Sequence, residues 1–506
     1  MSTAEPVPIR RVPPGAAPTL EGVRRLLAIA LSAASLLALA PAAQAASSLV
    51  ITGRGWGHGI GMSQYGALGY AQHGWTADRI LSHYYTGTRL GRLSSSPTVR
   101  VLLQSGRSRY ALRGASSVNG ALLDPGQAYT VTTGRQGLVV RDGSGTDRLT
   151  SPGPLAFRPS GGGAVTLVGP AQNGTSDGRY RGAIQIATGG SGLSAVNALA
   201  LEDYVAGVIS AEIPASWPTE ALRAQAVAAR TYAITTNAGG KTDLFTQYAD
   251  TRSQMYRGVA AETPATNAAV RATAGRVVTY DGAPVTTFFF STSGGRTENI
   301  ENSFVGSDPR PWLKSVADPY DTVSPYHRWK TQRLTLTRAT AALGGLVKGR
   351  LRRITVIKRG VSPRIVRANI VGSGGTTTVT GPQLRSAFGL RDTWIRFRSF
   401  ATTVTPQPAP PAGGKLPSVP ATPKTTIDPT TGGAARVAVS GPRIHGVIWP
   451  ASAGSWASVE RRERGRWVRA VDVEVGRGGT YTTMLPGKGS YRVRYAGQAG
   501  PVVSAR

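Results

Sequence analysis

The 506-residue sequence has no cysteine. That excludes disulfides, thiol nucleophiles and cysteine-held zinc together. Histidine is almost as scarce: the five present are scattered, and no His-Glu-x-x-His spacing occurs. Neither a metal nor a cofactor is therefore expected. Acidic residues are few, with 26 Asp and Glu against 58 Lys and Arg, a formal net charge of +32. Such an excess concerns partners and solubility, and it favours polyanions. No helix-turn-helix, RNA-recognition signature or zinc-finger spacing accompanies it, so nucleic acid is not the expected partner. Long apolar runs are missing too. The longest, Leu26 to Ala40, falls short of the roughly eighteen residues a membrane span needs. With Arg24-Arg25 before it and Ala43-Gln44-Ala45 after it, the run reads as a cleavable export signal. An uncleaved anchor is the alternative and would be the only membrane attachment. The expected location is secreted, at the cell wall.

Composition divides the rest. Residues 1–45 form the presumed signal and 46–400 a main domain. Residues 401–435, dense in Pro, Thr, Ala and Gly, read as a semi-extended linker. Residues 436–506 return to short strands with glycine turns and predict a small β-sandwich. From Thr98 to Ala200 short β-type runs alternate with Gly, Asn, Asp and Pro turns. Helical spacing marks Asp78–Tyr85 and Thr266–Ala274, with a weaker instance at Leu336–Leu346. Asp281-Gly282 predicts a hairpin turn between Val277–Thr279 and Pro284–Ser291. The fold class is α+β: a β-rich domain with a central alanine-rich helix, plus the C-terminal sandwich. Trp449, Trp456 and Trp467 are read as sandwich core, with sugar stacking as their other use.

The segment Val205 to Tyr232 carries the chemistry. Glu212 stands among Val208, Ile209, Ile213 and Trp217, just ahead of an alanine-dense helix expected to start at an Ser216 cap and run to about Thr236. Burial among apolar neighbours disfavours the charged carboxylate and raises its pKa, the condition a general acid needs. An ion pair with Arg223 or Arg230 is the plainer reading. Glu220 competes as the acid, but the first turn of a helix favours acidic residues for structural reasons.

These residues resemble the signature of the SpoIID/LytB family of cell-wall proteins, which includes lytic transglycosylases and amidase enhancers. The resemblance continues through Leu201-Glu-Asp-Tyr204, Asp250 to Gly258, Ser291 to Glu298, and the block Gly53-Arg-Gly-Trp56-Gly-His58-Gly-Ile-Gly-Met62-Ser-Gln64-Tyr65-Gly-Ala67. It implies an exported enzyme that cleaves peptidoglycan glycan strands to 1,6-anhydro ends, with Glu212 as general acid and base. A non-catalytic enhancer of a cell-wall amidase is the rival, and anionic wall polymers are further candidate partners. On the same resemblance His58, Gln64, Gln225, Arg230, Tyr232, Ser253, Gln254, Tyr256, Ser293 and Thr297 would bind substrate. In several relatives a His at the position of Phe290 helps hold zinc together with cysteines, and this chain has neither. The Gly-Trp-Gly-His-Gly block follows the last strand in sporulation members but opens the mature chain here. That order implies a circular permutation, and it requires Ile51–Gly53 to lie beside the strand at Trp394–Phe397.

Overall fold

The computed structural model describes residues 44–240, 244–406 and 441–505. The proposed signal and most of the proposed linker lie outside them. Among the described residues 21% are helical and 42% are in strands, an α+β composition. The chain forms two compact units, Leu49–Arg398 and a second containing Ser399–Arg506. No helix among the described residues is long and apolar enough to cross a membrane.

In the larger unit, residues 98–200 build two antiparallel sheets. The strand Gly192–Ala200 pairs on one side with Ala183–Gly189 and on the other with Thr98–Arg107. Among the helices of the rest are α1 (Gln64–Gln72), α2 (Ala77–Tyr84), α3 (Leu201–Glu212) and α4 (Thr219–Thr235). Helix α4 explains its own alanines. Leu222, Ala226, Ala229 and Ala233 join the core over the sheets and α3, while Ala224, Val227 and Ala228 join the core of α1 and α2. A helix buried on two faces must admit neighbours closely on both, and a methyl side chain allows that. A third core unites Leu49 and Ile51 with strands and helices between Ala339 and Phe397.

The sequence misplaced several elements. Helix α4 starts at Thr219 behind Pro218, with no side-chain cap, so Ser216 is not its N-cap. Helix α3 went unread because Ile, Val and Gly obscured its 3.6-residue period. The Asp281-Gly282 turn forms as expected, with φ of 48° and 82°. Its second strand, however, stops at Pro284. Phe289–Phe290 then pairs in parallel with Met62–Ser63 instead. Residues 401–405, assigned to the linker, continue the strand Ile395–Thr405. Within the smaller unit Ser399–Thr405 pairs with Arg443–Trp449. Trp449, Trp456 and Trp467 do not form its buried core, and Trp456 is 66% exposed.

The strand Gln44–Gly53 does lie beside Ile395–Thr405. The Arg54 amide donates to the Trp394 carbonyl at 3.1 Å. The glycine-rich block that follows is sewn to three distant segments. Gly55 N–H donates to Tyr326, Trp56 N–H to Thr292 and Gly57 N–H to Arg391. Gly61 has φ of +72°, and a Cβ there would stand 2.1 Å from the Phe288 carbonyl oxygen, so only glycine serves.

A buried acidic hub fixes where this block ends. Asp321 accepts from Ser63 Oγ at 3.1 Å, from the Ser293 and Gly294 amides at 2.8 and 2.9 Å, and meets His327 Nδ1 at 2.9 Å. Ser63 Oγ in turn caps α1 by accepting the Gly66 amide. Asp318 lies alongside, fully buried, and neither of its oxygens makes a well-formed hydrogen bond. Burial and the neighbouring Asp321 charge push its pKa up to about 7, against the pull of the Ser293, Tyr84 and Ser63 hydroxyls.

A folded-state pKa above the unfolded value means that the native state holds this proton longer. The resulting stability is complete below about pH 4 and is lost as pH rises through 7. Asp318→Asn should therefore gain on the wild type by about 4 kcal/mol between pH 4 and pH 8. Denaturant midpoints at the two pH values measure it, and a difference independent of pH would contradict the burial of this carboxyl.

Candidate active site

Glu212 is the last residue of α3. Two features of that position oppose its ionisation: the negative end of the helix dipole and a largely apolar surround. Two donors oppose them. The Met255 amide donates to Oε1 at 2.7 Å, and Gln64 Nε2 donates to Oε2 at 3.1 Å. Burial outweighs both donors, and the Glu212 pKa lies above the ordinary glutamate value. No second carboxylate contributes to that shift.

Each donor is positioned by structure already described. Gln64 opens α1 immediately after the cap Ser63, which the Asp321 hub holds. Met255 is positioned through its neighbour. The Gln254 side chain accepts from the Tyr204 hydroxyl at 2.8 Å and donates to the Ala229 carbonyl at 3.3 Å. The charge of Glu212 acts on both Tyr204 and Tyr232, whose phenol pKa values are raised chiefly by burial; at Tyr204 the Tyr232 phenol and then Glu212 add to the rise, and at Tyr232 Glu212 adds to it against the Thr236 hydrogen bond. The Tyr232 ring packs edge-on against Phe288 and Phe289.

Gln225 shares the α4 stripe of Ala228, Ala229 and Tyr232, at i+3, i+4 and i+7. The Ala228 and Ala229 carbonyls receive Thr287 and Gln254, so this stripe faces the segments around the acid. Gln225 is 1% exposed, yet neither its amide oxygen nor its nitrogen has a partner. Tyr65, next to Gln64, meets Trp217 edge-to-face at 5.1 Å between ring centroids. This aromatic pair was absent from the sequence-based candidates, as were the Asp318–Asp321 hub and the Met255 amide. Only the hub's acidity left any trace in the sequence, and the Met255 contribution is backbone, so residue type carries no sign of it.

The remaining candidates are engaged elsewhere. The His58 ring sits among Phe288, Phe290 and Phe304. Its Nδ1 accepts the Ile60 amide, and burial, aided by the Arg385 charge, pushes its pKa down to about 3. The hydrogen bonds of Glu212 come from Gln64 of the same block and from Met255, and none comes from His58. Arg230 is fully buried. Its guanidinium donates to both Glu202 oxygens and to the Ala226, Arg276 and Val270 carbonyls, which uses all five N–H groups. It is a core residue whose donors are all engaged within the protein, and it pairs with Glu202 rather than with Glu212.

Tyr256 is buried too, stacked on Tyr204 and donating to Asn197. Ser253 Oγ accepts the Tyr248 amide. Ser293 and Thr297 are wholly buried and accept the Gly295 and Val316 amides. The Ser293 and Gly294 N–H groups, expected to face substrate, are taken by Asp321. Glu220 is a brace: it accepts the Ala77 amide at the start of α2 and pairs with Arg223 at 2.6 Å. Phe290 is buried and offers no ligand atom at the position where some relatives bind zinc.

Residues 189–280 match the family model described as Stage II sporulation protein, SpoIID. The matched stretch contains Glu212, Gln225 and Met255 but not Gln64. The chain is 31% identical to Stage II sporulation protein D of Bacillus subtilis over 227 residues, 42% of this chain and 64% of that protein. The Bacillus amyloliquefaciens protein of the same name is 30% identical over 226 residues, 63% of its length. The chain thus spans a little under two thirds of these curated relatives. It is also 41% identical over 115 residues to a protein named Amidase enhancer from Bacillus subtilis, covering 15% of that protein. Over residues 189–280, and across these relatives, the chain is similar to SpoIID proteins.

Proposed function

We propose that this protein is an exported, wall-acting lytic transglycosylase in which Glu212 cleaves glycan strands between N-acetylmuramic acid and N-acetylglucosamine. The observation that carries the proposal is the balance at Glu212, where burial favours the neutral acid and two hydrogen-bond donors favour the carboxylate. A group poised in this way serves both halves of one reaction. The protonated carboxyl gives its hydrogen to the glycosidic oxygen as the C1–O bond breaks. The resulting carboxylate takes the proton from the muramoyl 6-hydroxyl as that oxygen bonds to C1. A 1,6-anhydro end forms, and the acid is regenerated without water.

Ordinary glycosidases need a second carboxylate to act as nucleophile or to activate water. None acts on Glu212, and an internal nucleophile makes one unnecessary. The half-buried Trp217 and its partner Tyr65 supply an aromatic surface suited to a sugar face. One observation favours a second reading: the similarity to a protein named Amidase enhancer. In that reading the same residues grip glycan while a partner amidase does the cutting.

Glu212→Gln keeps the shape of the side chain and removes the titrating proton. It should lower the yield of anhydro-muramoyl ends from purified glycan strands by at least about a thousandfold, read by mass spectrometry of the digest. Glu220→Gln should retain near-wild-type turnover. If neither wild type nor variant releases anhydro ends, the enhancer reading stands.

The pH profile offers a separate check. Activity should fall as pH rises through the elevated Glu212 pKa, above the usual carboxylate range. Gln64→Leu removes a donor that favours the ionised form, so the alkaline limb should move to higher pH by about one unit. A shift toward acid, or none, would show that Gln64 does not tune the acid.

A further inference from the structure

The smaller unit carries a second site of different chemistry. The strands Trp456–Glu463 and Arg466–Glu474 form a hairpin, and five arginines lie between positions 461 and 469. Its two-residue turn is Arg464-Gly465, with φ of 46° and 82°. Turns of this class ordinarily place Asn, Asp or Gly first, because a side chain in the left-handed region is strained. Here an exposed arginine occupies that position, in the turn of the hairpin. An outlier of this kind is a reason to look for function.

The charges around it are unevenly compensated. Arg492 and Arg494 share Glu460, and Arg469 pairs with Asp472. Arg462, Arg464 and Arg466 are exposed and have no carboxylate partner among the described residues. Arg462 sits directly opposite Trp467 in the register, and the Arg492 guanidinium lies 4.3 Å from the centroid of that indole. The hairpin therefore presents Arg462 beside an aromatic ring, Arg464 at the turn and Arg466 on the opposite face, three guanidinium forks without an ion-pair partner among the described residues.

From this geometry we infer that the Arg462–Trp467 hairpin binds a flexible anionic polymer of phosphodiester-linked polyol or sugar units. Planar guanidinium forks match phosphate oxygens in pairs, which favours phosphodiesters over isolated carboxylates. The indole supplies a face for the apolar side of the linking units. Choosing a wall polymer as occupant rests on the cell-wall reading of the family, but not on catalysis by Glu212. The hairpin would hold the protein on its substrate mesh while the larger unit works.

The test uses the full chain and purified poly(glycerol phosphate), with binding followed by fluorescence anisotropy at several salt concentrations. Arg462→Glu/Arg464→Glu/Arg466→Glu should weaken binding at least tenfold and make the salt dependence shallower by about two in log–log slope. A charge-matched control, Arg350→Glu/Arg352→Glu/Lys358→Glu, should change binding less than threefold. Arg464→Asn, which suits the turn, should raise Tm while weakening binding. Equal loss in the control, no loss in the hairpin variant, or equally tight binding of duplex DNA or phosphatidylglycerol vesicles would overturn the assignment. Because the polymer is soluble and is not cut, an inactive Glu212 would leave every arm of this experiment readable.

Discussion

Two opposed forces meet on one carboxyl group, and much of the larger unit is arranged to keep them opposed. Glu212 ends α3, where both the helix dipole and burial disfavour charge. Gln64 and the Met255 amide favour charge from outside that helix. The donors come from segments 148 and 43 residues away in sequence, so their placement is a tertiary achievement. Gln64 depends on Ser63, Ser63 on Asp321, and Asp321 on the loop it closes at Ser293 and Gly294. Met255 depends on Gln254, clamped between Tyr204 and α4. Side chains that look like substrate contacts in a motif prove to be the frame that aims two hydrogen bonds.

This distinction explains what the sequence made legible. Glu212 could be found because its signal is local: an acid among apolar residues ahead of an alanine-rich helix. The glycine-rich block could be placed because the resemblance to SpoIID/LytB proteins, taken with its permuted order here, required Ile51–Gly53 to lie beside the strand at Trp394–Phe397. Roles that depend on which donor reaches which acceptor were not legible. Arg230, Tyr256, Ser293 and Thr297 are polar residues in a strong motif, and only coordinates reveal that their hydrogen bonds are already spent. His58 misled for the same reason: its ring turns into an aromatic pocket while Gln64, six residues on, reaches the acid. The tryptophans of the smaller unit misled in the other direction. A residue type common in cores was assigned to one, although its strands leave those rings at least partly exposed.

The similarities narrow the chemistry without deciding between cleavage and assistance, since the chain is similar both to proteins named for sporulation and to one named for amidase enhancement. The physical argument for cleavage lies in expense. A glutamate that only gripped a sugar would bind best when ionised and solvated, and nothing in a binding role calls for raising its pKa. Desolvating it at a helix C-terminus costs stability that the Gln64 and Met255 hydrogen bonds only partly offset. A protein that merely held glycan could place a neutral amide there and avoid the penalty.

The same reasoning extends to Gln225. A buried amide with neither end paired is a cost of about 1–3 kcal/mol per group, and native cores rarely leave it standing. It lies on the α4 stripe that runs to Tyr232, beside the segments that hold the acid. Thus an acid whose pKa burial raises, at the end of α3, and an amide without partners, on the α4 stripe, both belong to this region. Strain of this kind is usually retained where a ligand relieves it. A glycan whose acetamido groups present both a donor and an acceptor is complementary to what these two side chains lack.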